Sequence, residues 1–222
     1  MITEGRKLAF FQNLRRVSGY HEICNLAASA AEAFNDGDAE RLKSFFAFGD
    51  PDLWIEFADE GRFPGDEAVE ALLRILPNIA APKVERAELF LTTPVIEIAG
   101  DGETAQGVWW CPVPMSIAGL DGTLQAIWAW GSIAADFLLM DTGWKIRHLH
   151  YFRVFKCRYE DGWVDDLSMI NRLNLPAHPL SQPTTYHNPY SPLSIRDGIP
   201  AAPRPYAWYI DSSWMTETRK DR

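Results

Sequence analysis

Residues 123–159 read TLQAIWAWGSIAADFLLMDTGWKIRHLHYFRVFKCRY, two long runs rich in aromatic and branched aliphatic residues, split by Asp141-Thr142-Gly143. Apolar side chains recur at roughly every second position, and a short glycine-containing link between two such runs predicts a β-hairpin. Both arms far exceed an ordinary strand, so the stretch predicts the backbone of a large sheet. Just upstream, VIEIAGDGETAQGVWW repeats the pattern on either side of a Gly-Asp-Gly turn, whose glycines supply the positive φ of a tight reversal. DLWIEFADEG is a further candidate strand, with Leu53, Ile55 and Phe57 alternating against Asp52, Trp54 and Glu56, and Gly61 and Gly65 bracket a turn.

Ahead of the strands the period is helical. Ile23, Leu26, Ala27, Ala30, Ala31 and Phe34 lie at three- and four-residue steps and predict a helix over 20–35, stopped by Asn35-Asp36-Gly37-Asp38. Asp38 is placed to cap a short helix carrying Leu42, Phe45 and Phe46. Asp66 is placed to cap another through Leu72, Leu73, Ile75 and Leu76, which Pro77 ends. Helices first and a meander of long antiparallel strands after them is the order of an α+β fold, helices covering one face of a curved sheet.

The 222 residues are 47% hydrophobic, enough for one substantial core, so a single domain over 1–172 is expected. Residues 173–222 differ. Eight of the fifteen prolines fall between Pro176 and Pro205, excluding regular helix or central strand, yet Tyr186, Tyr190, Tyr206, Trp208, Tyr209 and Trp214 are too aromatic for a solvated tail. The expectation is an extended arm docked on its own domain or a neighbouring subunit. A net charge of −9 with no basic stripe argues against nucleic acid as a partner. Cys24, Cys111 and Cys157 are too few and too scattered for a disulfide framework or zinc knuckle. The N-terminus lacks a signal-peptide core and no window approaches a membrane span, so a cytoplasmic protein without membrane attachment is expected.

His148 and His150 carry the chemical interest. Strict alternation places Trp144, Ile146, His148, His150 and Phe152 on one face, the more apolar one, which should line the concave interior. The two imidazoles would then sit about 6–7 Å apart in an apolar cavity. Three readings stand beside one another. A metal site would need a carboxylate shortly downstream, and none precedes Glu160. A structural pair would simply be hydrogen-bonded in the core. An acid/base pair would exploit a pKa of roughly 6.5, with burial favouring the neutral base. Glu56 is a candidate carboxylate partner; Asp136, by hairpin register, should instead pair with Arg147 on the outer face. Asn25 and His21, four apart on the first helix, and the rings of Phe63 and Trp109 are candidate substrate contacts, each also readable as structure. Tyr151 and Arg153, opposite the histidines, read as subunit-interface residues.

TTPVIEIAGDGETAQGVWW, IWAWGSIAADF, GWKIRHLHYFRVFKCRYEDGW and the Pro/Tyr-rich tail, in that order, resemble one branch of the SnoaL-like proteins in the nuclear transport factor 2-like (NTF2-like) superfamily. YHEICNLAASAAEAFNDGD and EGRFPGDEAVEALLR fit the same branch, and coverage runs over about residues 18 to 210. The resemblance implies an NTF2-like cone of helices on a strongly curved antiparallel sheet, one deep pocket, and homo-oligomers, dimers or trimers. The branch includes lyases of lignin breakdown that act without cofactor on diarylpropane or phenylcoumaran compounds, removing water or formaldehyde. The expected function is therefore a lyase or dehydratase of a small aromatic substrate, with no metal and no cofactor, using His148, His150 and Glu56. The alternative is a non-catalytic binder of a hydrophobic ligand, or a partner subunit, of the same fold.

Overall fold

The computed structural model describes residues 4–58, 60–76, 79, 85–119, 121–167, 178–193 and 195–218. Helix α1, Glu4–Asp36, begins well before the expected Tyr20. Its C-terminal half buries Ile23, Ala27, Ala30 and Ala33 against the sheet, small residues that let the helix axis approach closely. The short α2, Ala39–Lys43, is capped by Asp38, whose carboxylate accepts the Arg41 amide. Helix α3, Gly65–Ile75, is not capped by Asp66 as expected: Pro64 takes the cap position, and the Asp66 carboxylate accepts the Gly49 amide instead. The chain is extended from Leu76, while the expected stop at Pro77 lies outside the described residues.

Among the described residues seven strands form one sheet: β1 Trp54–Phe57, β2 Gly61–Pro64, β3 Arg86–Ala87, β4 Val95–Ile98, β5 Thr104–Ala118, β6 Leu124–Met140 and β7 Gly143–Arg158. Their order is β2-β1-β7-β6-β5-β3, with β4 also paired to β5. Gly61 and Gly65 thus flank a strand rather than a bare turn. The sheet is mixed, not wholly antiparallel, because β1 runs parallel to β7. The long chain between these two strands leaves room for the crossover that parallel pairing requires.

The β6–β7 ladder carries two bulges. Asp136 pairs with His148 and Phe137 with Ile146, so Arg147 is an extra residue; Trp130 pairs with Phe155 and Gly131 with Arg153, so Val154 is another. Each insertion breaks the alternation of side chains and bends the strand. On the inner face, Ile146, Trp144, Phe137 and Ala135 pack with the α1 residues; further along, Tyr151, Ile133, Ala129 and Cys111 continue that face.

The outer face is covered by the C-terminal arm. Trp214 and Met215, in a single 3-10 turn, pack with Trp54, Ala134 and Phe152. Backbone bonds from Arg62 to Gln182, Tyr190 to Val154, and Gly100 to Tyr206 tack the arm down along its length. Gly61 marks a close approach: its φ is +114°, and a Cβ there would lie 2.5 Å from the Gln182 carbonyl oxygen. Gly61→Ala should therefore cost roughly 1–3 kcal/mol and release the arm near residue 182. Faster proteolytic cleavage of that segment would register the change, and an unaltered cleavage rate would contradict it.

Candidate functional site

The bulge at Arg147 turns His148 and His150 to the outer face, away from α1, so the expectation that they line the concave interior is overturned. Both are nonetheless fully buried, because the arm seals them. His148 Nε2 lies 2.7 Å from the Asp52 carbonyl oxygen, which can only accept, so Nε2 carries a proton. Nδ1 lies 2.9 Å from Asp136 Oδ2, and Asp136 Oδ1 accepts the Trp214 indole N–H at 2.8 Å. The ring also stacks on Trp54 at 4.7 Å. Asp136 is thus a buried partner of His148 rather than a surface partner of Arg147, whose guanidinium instead meets Asp50 and Asp52. Burial pushes the Asp136 carboxyl up; the bonds from His148 and Trp214 oppose the rise.

His150 is held differently. It stacks on Phe152 at 3.7 Å, meets Trp54 edge-on, and brings Nε2 to 3.4 Å from Glu56 Oε1. The alignment is too poor for a hydrogen bond, and among the described residues Nε2 has none. Burial pulls the His150 pKa down to about 4; Glu56 opposes that shift and Arg62 adds to it. The imidazole is accordingly a neutral base at pH 7. Glu56 sits opposite His150 in the parallel β1–β7 register and is equally buried. Its oxygens accept from the arm: the hydroxyls of Thr184 and Thr185 and the Thr185 amide.

Beside this polar layer, between arm and sheet, lies a cavity of about 710 Å³ lined by Trp110, Trp128, Trp130, Phe155, Trp163 and Tyr190 among others. Phe152 and Tyr186 also line it, and Phe152 is the ring stacked on His150, so His150 stands one ring behind the cavity wall. The polar groups at the rim are Tyr186, whose hydroxyl donates to Asp197, Asn188, which donates to the same carboxylate, and Arg196, whose guanidinium covers Trp110 at 4.4 Å. Such a space, apolar with a few convergent polar groups, has the size and character of a small-molecule site.

The remaining expectations fare unevenly. His21 and Asn25 are exposed on α1 and do not line this cavity. The α1 positions against the sheet include Ile23 and Ala27, and a residue two away from them points to the opposite side of a helix. Phe63 and Trp109 are buried in the main core with Val69 and Phe137, packing rather than walling a ligand site. Tyr151 and Arg153 also face inward, where the Arg153 guanidinium lies over the rings of Phe57 and Tyr151. The cavity-lining tryptophans were missed, although Trp128 and Trp130, two positions apart, carried the signal of a shared face. Among the described residues no three His, Cys, Asp or Glu side chains converge as a metal ion would require, and no helix is long and apolar enough to cross a membrane.

Residues 15–150 match the family model described as SnoaL-like domain. Comparison with functionally curated proteins returns no significant match. Among solved structures, a candidate scytalone dehydratase from Novosphingobium aromaticivorans superposes with a TM-score of 0.56 at 13% identity, over 68% of this chain and 91% of that one. A hexachlorocyclohexane dehydrochlorinase, LinA type 2, gives 0.55 at 16% identity over 66% and 92%. An NTF2-like protein with a cystatin-like fold, also from N. aromaticivorans, gives 0.52 at 19% identity over 68% and 90%. At such identities the likeness is one of fold.

Proposed function

The chain belongs to the SnoaL-like domain family, and from that premise we propose that it is a cofactor-independent lyase or dehydratase acting on a small aromatic molecule by acid/base chemistry. The observation that carries the proposal is the His150–Glu56 pair placed directly behind an aromatic cavity. Two of the fold neighbours are named for eliminations, loss of water and loss of hydrogen chloride, and an elimination needs a base for the departing proton. Neutral His150 is that base, and Glu56 stabilises the imidazolium that forms. The tryptophans hold the flat substrate by stacking. Because Thr184 and Thr185 close over Glu56, substrate reaches the base only when the segment 184–186 lifts, so ligand entry is coupled to the arm.

His150→Gln and Glu56→Gln are expected to lower kcat at least about 100-fold on aryl alcohols that can eliminate water, with ligand binding, read by tryptophan quenching, little changed. Undiminished turnover in both variants would sink the proposal. A second reading, a non-catalytic binder, is favoured by the complete closure of both imidazoles. It predicts quenching by aromatic ligands with no turnover in the wild type.

A further inference from the structure

Residues 10–18 of α1 are all exposed, nine consecutive positions of one helix, with Arg16 paired to Glu97 of β4. Yet they include Phe10, Phe11, Leu14 and Val17, each more than half exposed. Phe10, Leu14 and Val17 are spaced four and three apart, so they form one stripe, with Phe11 beside it. The charges nearby are lopsided: over residues 4–19, Arg6, Lys7, Arg15 and Arg16 stand against Glu4 alone, in a chain whose net charge is −9.

A second exposed patch has the complementary character. Tyr159, Trp163, Val164 and Leu167 are exposed after the end of β7 and around the short helix α4, Gly162–Asp165. Interleaved with them are Glu160, Asp165 and Asp166, together with Asp161, which is paired with Arg158. Apolar residues among cations on one surface thus match apolar residues among anions on the other. The two cannot meet within one chain. The α1 segment is fixed near the β4–β5 turn, where Arg16 pairs with Glu97 at 3.5 Å. Thr104, just past that turn, pairs with Leu138, and Leu138 with Lys145 at the start of β7, whereas the acidic patch follows its far end. The sixteen residues of β7 set the two about 50 Å apart along the strand.

We infer that the N-terminal half of α1 docks on the acidic, apolar 159–167 surface of a second copy of this chain, joining protomers head to tail. The contact is heterologous, each copy giving one surface and receiving the other, so it builds a ring where the rotation closes. Charge complementarity selects the second copy as occupant over an anionic membrane, which would recruit the basic helix and leave the acidic patch uncovered.

Sedimentation velocity at tens of micromolar decides the matter. The wild type is expected to sediment as an assembly larger than 25.1 kDa, and to dissociate as salt is raised. Phe10→Glu with Leu14→Glu should yield monomer with unchanged far-ultraviolet circular dichroism, since neither residue packs on the domain. Arg6→Glu with Arg15→Glu should weaken the assembly about tenfold or more, as should Glu160→Lys with Asp165→Lys, and mixing the two charge-reversed proteins should restore it. A monomeric wild type, an assembly indifferent to the Phe10 and Leu14 changes, or a failed restoration on mixing would each overturn the inference.

Discussion

Asp136→Ala is expected to lower folding stability by about 3–5 kcal/mol, the cost of removing one member of a buried, hydrogen-bonded pair. The carboxylate joins three parts of the chain: it sits on β6, bonds His148 on β7 through one oxygen and Trp214 of the arm through the other. Alanine leaves His148 Nδ1 only the Tyr209 hydroxyl at 3.4 Å and takes the carboxylate acceptor from the Trp214 indole N–H, and each such loss costs roughly 1–3 kcal/mol. Asp136→Asn separates the causes. The asparagine oxygen can still accept from Trp214, and once the neutral ring of the variant takes the Nε2–H tautomer held by the Asp52 carbonyl, the asparagine amide can donate to Nδ1. The amide variant should therefore lose no more than about 1 kcal/mol. Urea denaturation followed by tryptophan emission measures both. Equal losses for the two variants would mean that the pair is held as full charges, with the carboxylate irreplaceable.

The error that mattered most in reading the sequence was a single residue wide. Counting back from Asp141-Thr142-Gly143 without a bulge sets Arg147 opposite Asp136; with the bulge, His148 takes that place. Because facing has a period of two, the extra residue also moves both histidines from the inner face to the outer one. Hydrophobic patterning could not reveal this. His148, His150 and Phe152 look equally inward-facing whichever apolar surface covers them, and here the cover is a Pro-rich arm with no period of its own. The long hairpins, the helix-then-sheet order and the Asp38 cap were legible, since each depends on residues within a few positions of one another. The parallel β1–β7 pairing and the Thr184 and Thr185 contacts to Glu56 were not, because they join segments roughly 90 to 130 positions apart, for which no local signal exists. Glu56 itself was found through its place on a candidate strand, and the parallel register sets it beside His150.

A loss of stability on mild acidification is the second large effect expected, and its source is His150. In the unfolded chain an imidazole titrates near 6.5, whereas in the fold burial holds this one at about 4. Between those values the unfolded chain binds a proton here that the folded chain does not, so stability rises with pH across the window and falls as pH drops from about 6.5 toward 4. The gap of roughly 2.5 pH units corresponds to about 3 kcal/mol, present in full above pH 7 and exhausted at the lower end. The charged and titratable groups facing the ring are Glu56 on β1, Arg62 on β2 and His187 on the arm, and the carboxylate opposes the shift while the other two assist it. Neutral glutamine at position 150 removes the titration and keeps a polar side chain of similar reach. Unfolding free energies of wild type and His150→Gln, taken at half-unit steps of pH, should therefore run parallel above pH 7. Below it they should converge by about 3 kcal/mol as the wild type alone weakens. Curves that stay parallel down to pH 4 would show that the imidazole titrates alike in the folded and unfolded chain, so that burial does not hold it neutral.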